Sequence, residues 1–179
     1  MGKLTATSFI TLDNVVEDPH LWSGDYFSDE TGALNDAVLR PADGMVLGRT
    51  TYEGFAAAWP QRSGDPFADK FNSMDKYVVS TTLETADWNN TTIISSDPFA
   101  RIREIKARQD LITWGSPSLV QGMLDEDLVD ELVLLYSPIV LGKGKRLFRE
   151  GPRHNLRVTE ARSLDGGMLA LRLEADRSA

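Results

Sequence analysis

The chain contains no cysteine. Disulfides, iron–sulfur clusters and thiolate zinc sites are thereby excluded. Histidine is scarce too: His20 and His154 stand far apart in no metal-ligand spacing, so the sequence offers no metal site. No apolar run reaches the length of a membrane-spanning helix, and no membrane partner is expected. The opening residues, MGKLTATSFITLDNVV, carry no long apolar stretch with a small-residue cleavage site, so a cytoplasmic location is expected. Basic residues are outnumbered, 19 Lys and Arg against 27 Asp and Glu, for a formal net charge of −8. That balance argues against a general nucleic-acid binder, which presents a basic face. It leaves room for a local basic pocket that takes a phosphorylated small molecule. Three familiar signatures are also missing: G-x-G-x-x-G, G-x-x-x-x-G-K-[ST] and G-x-S-x-G. An ordinary dinucleotide fingerprint, a P-loop and an α/β-hydrolase nucleophile are therefore disfavoured, and GKGKR at 142–146 lacks both the spacing and the hydroxyl of a P-loop.

What is present fits one domain spanning residues 1–179, without internal repeat, low-complexity segment or linker. Residues 3–10 read as a strand, followed by a long irregular stretch, LDNVVEDPHLWSGDYFSDETG, of the kind that serves as a lid or binding loop. Residues 30–40 suit a short helix, and DGMVLG a buried strand. A helix is expected from about Thr51 to Trp59, stopped by Pro60, with Thr50 and Glu53 as a capping box. DPFADKFNSM suits a surface helix, and KYVVSTT and TTIISS suit strands. Asp97 and Pro98 mark a helix start, and Phe99, Ile102 and Ile105 give that helix an apolar stripe. LITWG is a strand and SPSLVQGMLDED a helix that Ser116 can cap. DELVLLYSPIVLG reads as a long strand bent at Pro138, and residues 155–163 and 167–175 as a hairpin. Strand and helix alternate in the middle and strands close the chain. That predicts an α/β sheet, mostly parallel, with an antiparallel strand or two at one edge.

Ligands of open α/β sheets bind beyond the carboxyl ends of the strands. Three such ends carry suitable chemistry: Gly48-Arg49-Thr50-Thr51, Ser80-Thr81-Thr82 and Gly115-Ser116-Pro117-Ser118. Arg49 stands one residue ahead of the expected helix start, where the positive end of the dipole makes a cation poorly placed unless an anion is shared. In nucleotide-binding folds an arginine in such a place commonly meets the 2′-phosphate of NADP.

At these residues the sequence resembles the dihydrofolate reductase-like proteins, and within them the group similar to the reductase domain of the riboflavin-biosynthesis deaminase/reductase. The pieces are SFITLDNVVEDP, GMVLGRTTYEGFAAAWP, KYVVSTTL, LITWGSPSLVQGMLDEDLVDELVLLYSPIVLGKGKRLF and a terminal strand pair, in family order over nearly the whole chain. The resemblance implies an eight-stranded, largely parallel sheet flanked by helices, and NADPH as cofactor. It implies that Gly48, Arg49, Thr50 and Thr51 hold the adenosine-side phosphates and that Ser80 and Thr81 contact the adenosine half. Gly115, Ser116, Ser118, Leu119 and Val120 would lie along the pyrophosphate, and Ala6 would border the nicotinamide. Thr11-Leu12-Asp13-Asn14 departs from the family's Ser-Leu-Asp-Gly, though Asn tolerates left-handed backbone. Asp29, Glu30 and Asp36 lie where folate reductases place a carboxylate, but none aligns with it. No zinc-bearing deaminase half is expected, so the chain is not expected to perform both steps of the riboflavin enzyme.

The expected activity is hydride transfer from NADPH to a C=N or C=O carbon of a small planar heterocycle related to pterins, pyrimidines or flavins. Asp13, an acid of the lid region such as Glu30, or ordered water could supply the proton. Trp22, Tyr26, Phe27, Phe55 and Trp59 are the aromatics available to border a heterocycle, with Trp22 and Phe55 the foremost. Lys143, Lys145 and Arg146 form a basic loop that either reaches a substrate phosphate or is simply solvated. A homodimer is expected, because apolar edge strands need cover. The alternative function is a ligand-binding protein on the same fold without turnover.

Overall fold

The structure is a computed structural model and describes residues 2–178. In chain order the elements are β1 (Leu4–Thr11), α1 (Asp29–Leu39), β2 (Gly44–Gly48), α2 (Arg49–Ala58), α3 (Pro66–Ser73), β3 (Asp75–Val79) and β4 (Thr91–Ile94). They continue with α4 (Pro98–Lys106), β5 (Leu111–Trp114), α5 (Pro117–Asp125), β6 (Glu131–Ser137), β7 (Leu156–Ser163) and β8 (Leu169–Ala175). One eight-stranded sheet results, in the order β4-β3-β2-β5-β1-β6-β8-β7. The six strands from β4 to β6 are mutually parallel, and β8 and β7 close the far edge antiparallel. The α/β class and the antiparallel edge are as the sequence predicts.

Two core layers explain the burial. On one face α4 and α5 contribute Ile102, Ile105, Val120 and Met123 against Leu4, Ala6, Ile10 and Leu132 of the strands. On the other, α1, α2 and α3 contribute Leu34, Tyr52 and Phe71 against Met45, Leu47, Ile112 and Trp114. A central parallel strand is covered on both faces, which is why β1 is buried at nearly every position.

Several local expectations are corrected. α2 starts at Arg49, so the arginine lies in the first helical turn rather than ahead of it. No side chain caps α2: Thr50 and Glu53 form no box, and Glu53 instead lies 3.9 Å from Arg49 one turn away. Asp97 and Ser116 precede α4 and α5 in left-handed conformation, with φ of 45° and 54°, and neither side chain caps its helix. Pro138 does not bend a long strand; β6 ends at Ser137 and the chain leaves the sheet. Asn14 does adopt the left-handed turn, with φ of 66°.

The edge where strands begin is closed by buried charge. Lys76 donates to the carbonyls of Asn72, Met74 and Asn89 at 2.9, 2.8 and 3.1 Å. Lys106 donates to Leu128 O at 2.8 Å and pairs with Asp130 Oδ2 at 2.6 Å. The same carboxylate accepts the Leu4 N–H at 2.8 Å and pairs with Arg177 at 3.1 Å, so it pins α4, β1 and β6 together. Burial pushes the Asp130 pKa up, but Lys106, the Leu4 N–H and Arg177 outweigh it, and the net shift is downward. Asp130→Ala leaves the Lys106 ammonium buried without its counter-charge and is expected to cost about 3 kcal/mol in urea unfolding at neutral pH. Because the folded pKa lies below the unfolded one, the stability Asp130 contributes is complete above about pH 3.9 and declines as pH falls below it. The wild-type and variant unfolding curves therefore converge on acidification.

Candidate functional site

Parallel pairing delivers the carboxyl ends of β3, β2, β5, β1 and β6 to one edge in that order. Two of these exits run straight into helices. Gly48 ends β2 and is the N-cap of α2. Gly115 and Ser116 join β5 to α5, both left-handed, with φ of 61° and 54°. The Ser116 hydroxyl accepts the Gly48 N–H at 2.9 Å and donates to Thr51 Oγ1 at 2.8 Å. One side chain thus ties the two helix starts together. A Cβ at Gly48 would stand 3.3 Å from that hydroxyl, so glycine permits the close approach. The first N–H groups of α2 have no partner inside the helix and no capping side chain, and they point to the open edge. Arg49 is half exposed beside them, and at 3.9 Å its contact with Glu53 is a weak surface pair. Two helix N-termini meet at this spot, with Arg49 in the first turn of one of them, an arrangement suited to an anion.

The remaining cofactor candidates divide. Ser118 is exposed in the first turn of α5, whereas Leu119 and Val120 are core side chains whose N–H groups already bond to Ser116 O. Ser80 is buried at the end of β3, its hydroxyl accepting the N–H groups of Thr82 and Leu83 at 3.2 and 3.0 Å, and Thr81 is exposed. Ala6 is buried on β1, paired with Thr113 of β5. The edge therefore runs from Ser80 and Thr81, past the tied helix starts, to β1.

Both candidate acids are committed to structure. Asp13 accepts from Thr11 Oγ1 at 2.6 Å and from the N–H groups of Leu141 and Gly142 at 3.2 and 2.8 Å. Those donors, Thr11 foremost, lower its pKa to about 2. It stays ionised at neutral pH and holds no proton to give; its work is to tie the loop after β6 to the turn after β1. Glu30 accepts the Asp165 N–H at 2.7 Å and lies 3.6 Å from Arg162, anchoring the β7–β8 turn.

Lys145 and Arg146 are partly structural as well. The backbone of 145–147 bridges to 14–16, Lys145 lies 3.9 Å from Glu17, and Arg146 donates to Asp13 O at 3.0 Å. Lys143 is exposed. Trp22 is only 8% exposed and donates to Glu17 O, so it is not the open stacking surface that its polar neighbours suggest. Phe55 is absorbed into an aromatic cluster, 5.4 Å from Phe71 between centroids. Sequence reasoning misses three buried hydroxyls, Thr7, Thr113 and Ser137, that have no hydrogen-bond partner. They lie on the three strands that meet at β1, and a threonine in a strand signals only β-propensity. A cavity of about 270 Å³ elsewhere, lined in part by Asp125, Phe148, Arg149 and His154, contains none of the candidate residues. Among the described residues no group of three or more His, Cys, Asp or Glu could hold a metal, and no helix is long and apolar enough to cross a membrane.

This architecture has known counterparts. A solved structure of a proposed riboflavin biosynthesis protein from Shewanella sp. PV-4 superposes with a TM-score of 0.79 at 20% identity, covering 98% of this chain and 99% of that one. A deaminase/5-amino-6-(5-phosphoribosylamino)uracil reductase from Thermotoga maritima superposes at 0.67 with 14% identity, over 98% of this chain and 57% of that one. At these identities the likeness is one of fold, the dihydrofolate reductase-like fold. In sequence, the uncharacterized protein YyaP of Bacillus subtilis (strain 168) is 27% identical over 170 residues, 90% of this chain and 89% of the relative. The family model described as the RibD C-terminal domain matches residues 2–170, a span that holds both tied helix starts and every strand but most of β8. The chain belongs to the RibD C-terminal domain family.

Proposed function

We propose that this chain is an NADPH-dependent reductase of a small planar heterocycle. The observation that carries the reading is the Ser116 bridge, which brings the uncapped start of α2, with Arg49 in its first turn, against the start of α5. A ligand with several phosphates fits that pair of helix starts. From β3 to β1 the edge spans three strand spacings, about 14 Å, room for an extended dinucleotide. In this reading Ser80 and Thr81 meet the adenosine half, Arg49 the 2′-phosphate, and Thr50, Thr51, Gly115 and Ser118 the phosphates. Ala6 borders the nicotinamide.

Bound there, NADPH supplies a hydride to a C=N or C=O carbon, and the heteroatom takes up a proton. The chain's part is to hold donor and acceptor carbons in contact. Asp13, ionised and triply bonded, is no proton source, so we assign the proton to water admitted at the β1 exit. The commitment of both acids also favours a second reading, a protein that binds NADPH without oxidising it. Consumption of NADPH against a panel of pterins, pyrimidines, flavins and small carbonyls separates the two. The work is set in the cytoplasm, and the protein acts as a homodimer. Support for the dimer comes from β7 and β8. Their ion pairs, Arg157–Glu174, Arg162–Glu160 and Arg172–Glu160, lie on one face of the hairpin. The register puts Val158, Leu169, Leu171 and Leu173 on the other face, with Val158 and Leu169 well exposed.

Arg49→Ala is expected to weaken NADPH binding by about ten- to a hundredfold, the range of a lost charge-assisted bond to phosphate. NADH, which lacks the 2′-phosphate, should change much less, and rising ionic strength should weaken NADPH binding more than NADH binding. Nucleotide fluorescence titrations on wild type and variant measure both, and equal losses for the two nucleotides would withdraw the NADP preference. Ser116→Ala acts on the cradle itself. It should weaken NADPH and NADH alike, by about three- to tenfold in the same titrations. Light scattering should give a dimer mass for wild type and a monomer mass for Val158→Glu, since a buried unpaired carboxylate disfavours the interface.

A further inference from the structure

The aromatics that the sequence offers to a heterocycle, Trp22, Tyr26, Phe27, Phe55 and Trp59, come from the loop after β1 and from α2 with its C-cap, and the fold treats them differently. Trp22 is buried and its indole N–H is spent on Glu17 O. Tyr26, Phe55 and Trp59 pack against the core layer of α1–α3, Trp59 lying 4.7 Å from Phe71 between centroids. Phe27 differs from these four: it is 51% exposed.

An exposed phenylalanine alone is ordinary, but Phe27 is held in place on several sides. Ser28, next in sequence, caps α1 in a reciprocal box with Thr31, which fixes the backbone behind the ring. Gly166 in the β7–β8 turn has φ of 86°, and a Cβ there would stand 2.4 Å from the Tyr26 carbonyl, so the turn lies flush against this segment. Gly32, one helical turn past Ser28, leaves room beside the ring, since even a Cβ there would come only to ordinary contact distance, 3.8 Å. Behind the ring stands Phe9 of β1, 6.4 Å away between centroids and tilted by 42°. Held this way, the ring loses little freedom on receiving a partner.

The surroundings share its character. Five of the seven large, well-exposed apolar side chains among the described residues lie on the loops after β1 and β6: Leu12, Leu21, Phe27 and Val140, together with Phe148, which lines the separate cavity. The two loops are bonded to each other through Leu12 N–H and Ile139 O. Concentration of apolar surface at one edge marks a ligand or partner site. β1 lies next to β5, one strand spacing of about 4.8 Å beyond the tied helix starts.

We propose that Phe27, backed by Phe9, is the surface on which the planar ring of the substrate stacks. The proposal rests on the reductase reading, which puts the substrate beside the nicotinamide at the β1 exit. Phe27 acts here as a specificity determinant: a flat heterocycle gains a rigid aromatic face, whereas a small aliphatic carbonyl does not.

Riboflavin, lumazine and folic acid serve as probes. Each is titrated into the full chain with and without saturating NADP⁺, and ring fluorescence is followed. At least one should bind wild type. Phe27→Ala should lower its affinity about tenfold or more, Phe27→Tyr should keep it within about twofold, and Phe27→Leu, apolar but without a ring, should behave like the alanine variant. NADPH affinity should be the same in all four proteins, which also shows that the variants are folded. Failure of all three probes to bind wild type, or equal affinity for wild type and Phe27→Ala, overturns the proposal. So does full affinity in Phe27→Leu, which indicates a merely greasy surface such as a protein partner would use. Ring binding that depends on Phe27 in a chain that does not bind NADPH defeats the reductase reading and leaves the stacking surface standing. NADPH binding with ring affinity indifferent to Phe27 does the reverse.

Discussion

Parallel pairing from β4 to β6 governs where chemistry can occur in this protein. Six strands running one way put six exits on one edge and six entrances on the other. The helices that follow the strands begin at the exit edge, with N–H groups outward, and return to the entrance edge with carbonyls outward. The two edges therefore carry opposite partial charge. At the entrance edge the chain answers its own carbonyls: Lys76 takes three of them and Lys106 takes Leu128 O. At the exit edge α2 and α5 have no side-chain caps and Arg49 adds positive charge. Stability has been concentrated at one edge and binding capacity left at the other.

The exit edge also holds a strained backbone position. Gly115 can adopt a left-handed conformation freely, but Ser116 beside it cannot do so without cost. Its two hydroxyl bonds, to Gly48 and Thr51, offset that cost and fix the relative position of the helix starts. The unpartnered hydroxyls of Thr113, Thr7 and Ser137 sit on β5 of this cradle and on β1 and β6, the next two strands outward. A buried hydroxyl without a partner costs on the order of 1–3 kcal/mol. Such departures from an optimally satisfied core cluster where a structure serves binding rather than stability.

Long-range contacts reassign the residues that looked most reactive. Asp13 and Glu30 carry the right functional group, and each spends it on backbone N–H groups over a hundred residues away, at Leu141 and Gly142 and at Asp165. The same contacts bring the loop after β6 and the β7–β8 turn to the β1 exit. There the turn glycine Gly166 abuts Tyr26, next to the exposed ring of Phe27. In the proposed reading the substrate side is assembled from segments near residues 12, 27, 140 and 166.

The sequence by itself determined the element order, the α/β class and the antiparallel C-terminal edge, because strand alternation and helical periodicity are set by neighbours within about four residues. The apolar stripe of α4, the Pro98 helix start, the left-handed turn at Asn14 and the terminal hairpin are all local in this sense. The glycines and hydroxyls of the three strand exits were legible too, since ligand sites follow strand ends in such sheets. Tertiary structure alone decided what each polar side chain does. Thr50 and Glu53 have capping spacing but do not cap, Ser116 links two helices instead of serving its own, and Pro138 ends a strand rather than bending it. It also decided that Trp22 is buried and Phe27 exposed, although both come from one polar loop. A hydrogen-bond partner or a covering side chain can come from any distance along the chain, and no local pattern encodes which residue the fold brings there.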